Sequence, residues 1–320
     1  LNINSGEILF VKCVKDGIPN RDPLNESDAR RLFGEDDGRI SLSDVSIKRD
    51  VRDFVLAKYP DGGKKKRYFV FCRQERTEDG KLLGRQKLAE AILEQAKKKA
   101  SKNKRDDLMA SAFDMRVFGA VYSVGKESFN QTGPVQFGWA HSLHPVETKY
   151  VQGTVVMPSK DIKVDDAGEQ QGSQQGTIWT TYTLPFAVFA MPAVVNANIA
   201  EDTGMDKDDL DLLLESLWKG TQHRQARGRG IQQPLFLLHV EYKDPFFRIG
   251  YLEDFIALKP GREAWTGGNP PTNLSEVELD VSGLEELLAN NKKKIARVRY
   301  WVHPGFKITG NLPGDQHELD

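Results

Sequence analysis

The sequence predicts an α+β fold, with antiparallel strands and backing helices in the order of a split β-α-β-β-α-β unit. Three observations predict it. Apolar runs rich in β-branched and aromatic residues, such as "EILFVKCV" and "PLFLLHVEY", stop at Gly, Pro and Asx clusters, as strands do. Two other stretches, from Ser43 and from Met205, carry their apolar residues at helical spacing. A lysine-rich segment without core pattern interrupts the order once, between the first helix and the second strand.

The first strand spans about 7–14 and ends abruptly in "DGIPNRDPLNES", where Pro19 and Pro23 stiffen the chain and Asn20, Asp22 and Asn25 favour turns. A helix follows, with Ser43 at the N-cap position and Asp44 in the first turn. Its Ile47, Val51, Phe54 and Val55 form a core stripe, and Lys48, Arg49 and Arg52 fall on one flank beside it. "RYFVFCRQE" (67–75) reads as a strand, and "KLLGRQKLAEAILEQAKKKA" as an exposed helix, so 60–111 is an insertion. Residues 112–125 and 133–158 read as strand-rich, with Phe137 and Trp139 on one face with Val135. "TVVM" and "TIWTTYT" flank a tip, Asp165 to Gly176, with almost no apolar residue; a long hairpin with a mobile tip is expected. An amphipathic helix at 205–221 with a Gly stop, the basic loop "QHRQARGRGIQQ" and a strand at 234–242 come next. A helix near 282–296 and the strand "ARVRYWVHP" close the chain.

Composition sets the outer bounds. The 320 residues are 39% hydrophobic and 28% charged, enough for a packed core. No apolar run would cross a bilayer and no signal peptide is read, so a soluble cytoplasmic protein is expected. Cys13 and Cys72 sit in apolar runs and read as buried free thiols, with no zinc partner. The net charge of −1 hides segregation: "KKKR" (64–67), "HRQARGR" (223–229) and "KKKIARVR" (292–299) stand against acidic runs at 160–169, 201–211 and 275–286. The six histidines lack metal-ligand spacing, and no P-loop, Rossmann glycine pattern or nucleophile elbow is present. No cofactor is expected. Four antiparallel strands backed by two helices are also the platform of RNA-recognition domains.

The motifs "DGIPNRDP", "SDVSIKRDVRDF", "FDMRVFGAV", "GPVQFGWAHSLHPVE" and "GMDKDDLDLLLESLWKGT", in that order, resemble the backbone subunit of type I CRISPR Cascade complexes, most closely the Csh type of subtype I-B. The likeness covers roughly 5–260. It implies a hand-shaped protein: a palm with a modified RNA-recognition (ferredoxin-like) fold over 1–59, 112–153 and 185–262, inserted helical fingers at 60–111 and a β-hairpin thumb at 154–184. Residues 263–320 would be an extension packed on the palm.

The resemblance further implies a subunit without catalysis that binds CRISPR RNA irrespective of sequence. Copies would stack head to tail along the guide spacer, beside the large, small, repeat-processing and guide 5′-end-binding subunits, and support pairing with target DNA. No membrane is involved. Sequence-blind binding needs contacts to phosphate and sugar. The candidates are Arg21, Lys48, Arg49, Arg52, Gln136, Phe137, Arg224, Arg227 and Arg229, with Val155, Met157, Trp179 and Tyr182 as the thumb's wedge. The family usually has "NPNGDP" where this chain has "IPNRDP", which puts Arg21 in a glycine's place. Two other readings compete. Type III relatives cut RNA with an aspartate in the first loop, where Asp22 lies, with Asp36 and Asp37 nearby. A scaffold without nucleic acid would leave the basic flank and the hairpin unexplained.

Overall fold

The computed structural model describes residues 3–25, 28–97, 103–155, 163–164, 170–171 and 178–318. In chain order the strands are β1 (Gly6–Lys15), β2 (Ser41–Leu42), β3 (Gly119–Tyr122), β4 (Phe129–Thr132), β5 (Val135–Phe137), β6 (Ala140–Ser142), β7 (Lys149–Thr154), β8 (Lys163–Val164), β9 (Gln170–Gln171), β10 (Ile178–Thr183), β11 (Phe186–Val195), β12 (Ile231–Tyr242), β13 (Ala257–Lys259), β14 (Glu278–Asp280), β15 (Ile295–Val302), β16 (Lys307–Thr309) and β17 (Asp315–Gln316). The helices are α1 (Asp44–Lys58), α2 (Arg85–Gln95), α3 (Lys104–Ser111), α4 (Phe113–Phe118), α5 (Ala197–Thr203), α6 (Lys207–His223), α7 (Arg262–Thr266) and α8 (Ser282–Asn290).

The main sheet runs β17-β15-β12-β1-β11-β6-β2, with β5 also paired to β11. Its centre, β12-β1-β11-β6/β5 with α1 after β1 and α6 after β11, is the 4-1-3-2 antiparallel arrangement of the split βαβ unit. β1 pairs along its whole length with β11, from Gly6↔Val195 to Lys15↔Phe186. Its side chains divide by alternation. Ile8, Phe10 and Val14 face α1 and α6, and Leu9, Val11 and Cys13 face a second core built by the C-terminal residues. Both faces are therefore covered, which is why β11, and β1 apart from Glu7 and Lys12, are nearly continuous apolar runs.

The insertion has a third core, in which Phe69, Phe71, Leu88, Ile92 and Met109 meet Met115 and Tyr122, so that core continues past residue 111. It is tied to α6 by buried ions. Arg116 donates Nε and Nη2 to Asp209 of α6 at 2.8 and 2.7 Å, and Arg67 reaches Asp206 and Asp209 at 2.6 and 2.7 Å. Burial of such a pair is tolerated only because geometry and extra bonds are complete. Arg116 also donates to the carbonyl of Met109.

Four sequence expectations change. Residues 67–75 are not a strand: Phe69 only bridges to Ala112, through Phe69 N to Ser111 O and Phe113 N to Phe69 O. Residues 113–118 form helix α4 rather than a strand, because the buried Asp114 carboxylate accepts the amides of Phe71 and Cys72 and fixes the turn against the insertion. Gly220 does not stop α6, which continues to His223; it sits where α6 passes the Asp50 carbonyl of α1, with no room for a Cβ. Cys72 is exposed, whereas Cys13 is buried and its thiol is pushed up to about 11 by desolvation. β11, which pairs with all ten residues of β1, is a strand that the sequence reading does not single out.

Strands β7 and β10 pair antiparallel from Lys149↔Thr183 to Thr154↔Ile178, the stem of the expected hairpin. The tip expected to be mobile lies outside the described residues, apart from the short β8–β9 pair. Among the described residues no helix is long and apolar enough to cross a membrane.

Candidate nucleic-acid interface

Three segments converge where β1 ends. Asp16 N donates to Pro185 O at 3.3 Å, Gly17 N to Leu184 O at 3.2 Å, and Ile18 N to Gly228 O at 3.0 Å. The first loop, the base of the hairpin and the arginine loop 224–230 thus share one backbone seam. Gly17 and Gly230 touch there without side chains: a Cβ on Gly17 would lie 2.0 Å from Gly230 N. Gly230 also has φ +75, a left-handed conformation natural to glycine.

Beneath the seam lies a buried ionic hub. Asp50, on α1, is 1% exposed and accepts from Lys12 Nζ at 3.2 Å, Arg224 Nη1 at 2.8 Å and Arg229 Nη2 at 3.2 Å. Gln232 Oε1 takes a second Lys12 proton at 2.9 Å. Desolvation lowers the Lys12 pKa, with Asp50 acting against the shift. Arg229 also donates to the carbonyl of Pro19, and Arg21 Nη2 bridges Tyr182 O and Gly228 O, both at 2.8 Å. Arg21, Arg224 and Arg229, expected on RNA phosphates, are thus directed at protein oxygens and hold the loops in place.

The helix flank is also paired. Lys48 bonds Asp44 at 2.9 Å, Arg49 meets Asp53 at 2.6 Å, and Arg52 meets the buried Asp114 at 2.9 Å. The sequence placed three cations on one flank correctly, but i,i+4 acids and the insertion occupy them. Phe137 is core: it is 9% exposed, with its ring 6.0 Å from that of Phe118. Gln136 donates to Gly133 O at 2.9 Å, and β5 lies at the opposite end of β1 from the arginine loop. Trp139, expected in the core beside Phe137, is 37% exposed.

Arg227 is the exception. Its guanidinium lies over the Trp179 ring, 4.4 Å from the centroid, and among the described residues it has no acid partner. Tyr150 and Tyr182 stand at 5.2 Å across the stem, and Tyr150, Val151 and Ile178 are exposed beside them. The structure therefore brings Trp179 to Arg227, whereas Tyr182, three residues further along β10, lies on the other face of the stem against Tyr150. Val155 is half-buried at the stem's end, and Met157 lies outside the described residues. Lys12 and Asp50 carry no motif, and only Lys12's place in an otherwise apolar strand hints at a buried partner. Asp22 Oδ1 accepts Leu24 N at 3.0 Å as a turn former, and Asp37 holds Arg39 at 2.7 Å. Among the described residues no three His, Cys, Asp or Glu side chains converge as a metal site would require.

A family model described as CRISPR-associated protein Cas7 matches residues 4–282. A relative from Haloferax volcanii, also described as CRISPR-associated protein Cas7, is 26% identical over 315 residues, covering 89% of this chain and 83% of its own. Two solved chains are similar in fold. One, from a "CRISPR RNA-guided surveillance complex, pre-nicking", has a TM-score of 0.57 and 15% identity, covering 99% of this chain and 96% of its own. The other, from a "CRISPR RNA-guided surveillance complex", has a TM-score of 0.53 and 14% identity, covering 99% and 95%.

Proposed function

We infer from the family of CRISPR-associated protein Cas7, to which this chain belongs, that it is a backbone subunit holding the guide RNA of a surveillance complex. In this reading it binds guide without regard to sequence and performs no cleavage. Copies follow one another head to tail along the spacer and leave the guide free to pair with target DNA in the cytoplasm.

One observation supports this most. Arg227 and Trp179 present a cation and an aromatic ring at one spot, on a loop and on a strand of the hairpin stem whose base is pinned to the same seam. Stacking and phosphate attraction both ignore base identity, the property a guide holder needs. The buried hub contributes by fixing the arginine loop before RNA arrives, so less freedom is lost on binding.

The test is assembly on two guide RNAs with unrelated spacers, followed by ribonuclease footprinting. Equal affinities and the same regular protection are expected. Protection that follows the spacer's sequence, or a single protected end, would overturn the reading.

A further inference from the structure

The far end of β1 carries a second surface that the guide-binding reading does not use. Tyr242 N bonds Ser5 O, and the chain then runs through 243–251 with alternating exposure, so that Phe247 and Ile249 point into the second core. Phe246 and Tyr251 point out, 86% and 76% exposed, with the exposed Arg248 between them. Tyr251 has φ +53, a left-handed backbone uncommon for a bulky residue, which directs the ring away from the core. Beside it opens a groove of about 520 Å³ walled by Phe137, Gly138 and Pro192, a size within the range of clefts that hold small planar ligands.

Cations border this aromatic strip. Lys243 N bonds Lys294 O at 2.9 Å, which sets the turn of Lys292 and Lys293 against it, and Lys294 lies over the Phe247 ring at 4.3 Å. Among the described residues none of these lysines, nor Arg248, has an acid partner. Asp244 is engaged by the amide of Phe246; Glu7, which accepts the amides of Ile249 and Gly250, and Glu253 line the groove, so the cationic edge is the lysine turn and not the groove itself.

We propose that this patch is a second site for single-stranded nucleic acid, separate from the guide-binding face. Lysine is depleted in protein–protein contacts, whereas unpaired cations beside exposed rings suit a backbone followed by stacked bases. β1 separates the two sites by about 30 Å, at roughly 3.3 Å per residue, so one short strand segment does not occupy both closely. The site rests on its own residues and stands whether or not the guide reading does.

The experiment uses the full chain saturated with unlabelled guide RNA and a fluorescent twenty-nucleotide oligothymidylate as probe. The probe binds, and Phe246→Ala with Tyr251→Ala weakens it about tenfold or more while guide affinity stays unchanged. Lys292→Glu with Lys293→Glu lowers the salt slope by about 1.4, two single-strand phosphate contacts at about 0.7 each. Arg227→Ala weakens guide binding and leaves the probe unaffected, which separates the two readings. Probe affinity unchanged within about twofold in the aromatic double variant, its fold verified by circular dichroism, overturns the proposal. So does equal affinity for a duplex of the same length. A double variant that alters only the sedimentation of the assembly also overturns it, and assigns the patch to a protein contact.

Discussion

The guanidinium of Arg227 covers the indole of Trp179 at 4.4 Å, joining the arginine loop to the hairpin stem through a pair that also faces outward. Each member has its own signature. Trp179→Ala should weaken guide RNA about five- to hundredfold if one base stacks there, equally for unrelated spacers. Arg227→Ala should lower the salt slope by about 0.7. Fluorescence anisotropy over a salt series measures both, and an unchanged slope in Arg227→Ala would remove this residue from the phosphate contacts.

Asp50 serves three cations, so its loss should cost more than one ion pair. Asp50→Asn is expected to destabilise the protein by about 3–5 kcal/mol, because Lys12 is left charged and buried. Replacing Lys12 by Met in the same chain should recover part of that loss. Urea denaturation of the two single variants and the double variant gives the coupling, expected to exceed about 0.5 kcal/mol. Simple additivity would show that Lys12 and Asp50 act independently.

Acid should weaken the fold through buried imidazoles. His144 stacks on Trp265, its Nε2 accepts Val188 N at 3.1 Å, and burial lowers its pKa to about 4. His239, buried and beside Arg299, is lowered to about 3. Between the unfolded value near 6.5 and these folded values, the unfolded chain binds more protons. Stability is therefore full above about pH 6.5 and falls with pH, by up to about 1.4 kcal/mol per unit for each histidine. Urea midpoints at pH 7, 6 and 5 should fall more steeply in the wild type than in His144→Gln. Parallel curves would mean that His144 titrates normally in the native state.

Incubation with Mg²⁺ or Mn²⁺ and guide-complementary RNA or DNA should leave both intact, in the wild type and in Asp22→Ala alike. Guide-dependent cuts at regular spacing that disappear in Asp22→Ala would instead establish cleavage from the first loop.

Much of the main sheet and its two long helices was legible because burial periodicity is local information. The strand at β1, the stripe Ile47–Val51–Val55 and the amphipathic α6 follow from spacing alone. The segment 113–118 was not: Phe113, Asp114, Met115, Arg116 and Val117 alternate apolar and charged as a half-exposed strand would, whereas all six residues are buried and both charges are met by partners distant in sequence. The site was legible in composition but not in pairing. Cationic residues are visible in a sequence, and the i,i+4 acids of Lys48 and Arg49 are local, whereas other partners come from elsewhere: Asp114 meets Arg52 from sixty-two positions away, and Asp50 meets Arg224 from one hundred and seventy-four. Arg227 stands out only after its neighbours have been paired off.

The seam between Gly17 and Gly230 has an evolutionary corollary. Main chain meets main chain there, so the close approach of the two loops at this point rests on the two glycines and not on a side chain. The clash at either position is with main-chain atoms, so changing one does not relieve the other, and the pair forms a fixed hinge-pin in sequence space. Around that pin Arg227, which takes no part in the Asp50 hub, can change while Arg21, Arg224 and Arg229 keep the frame, so a lineage can retune the exposed face of the loop while the architecture stands still.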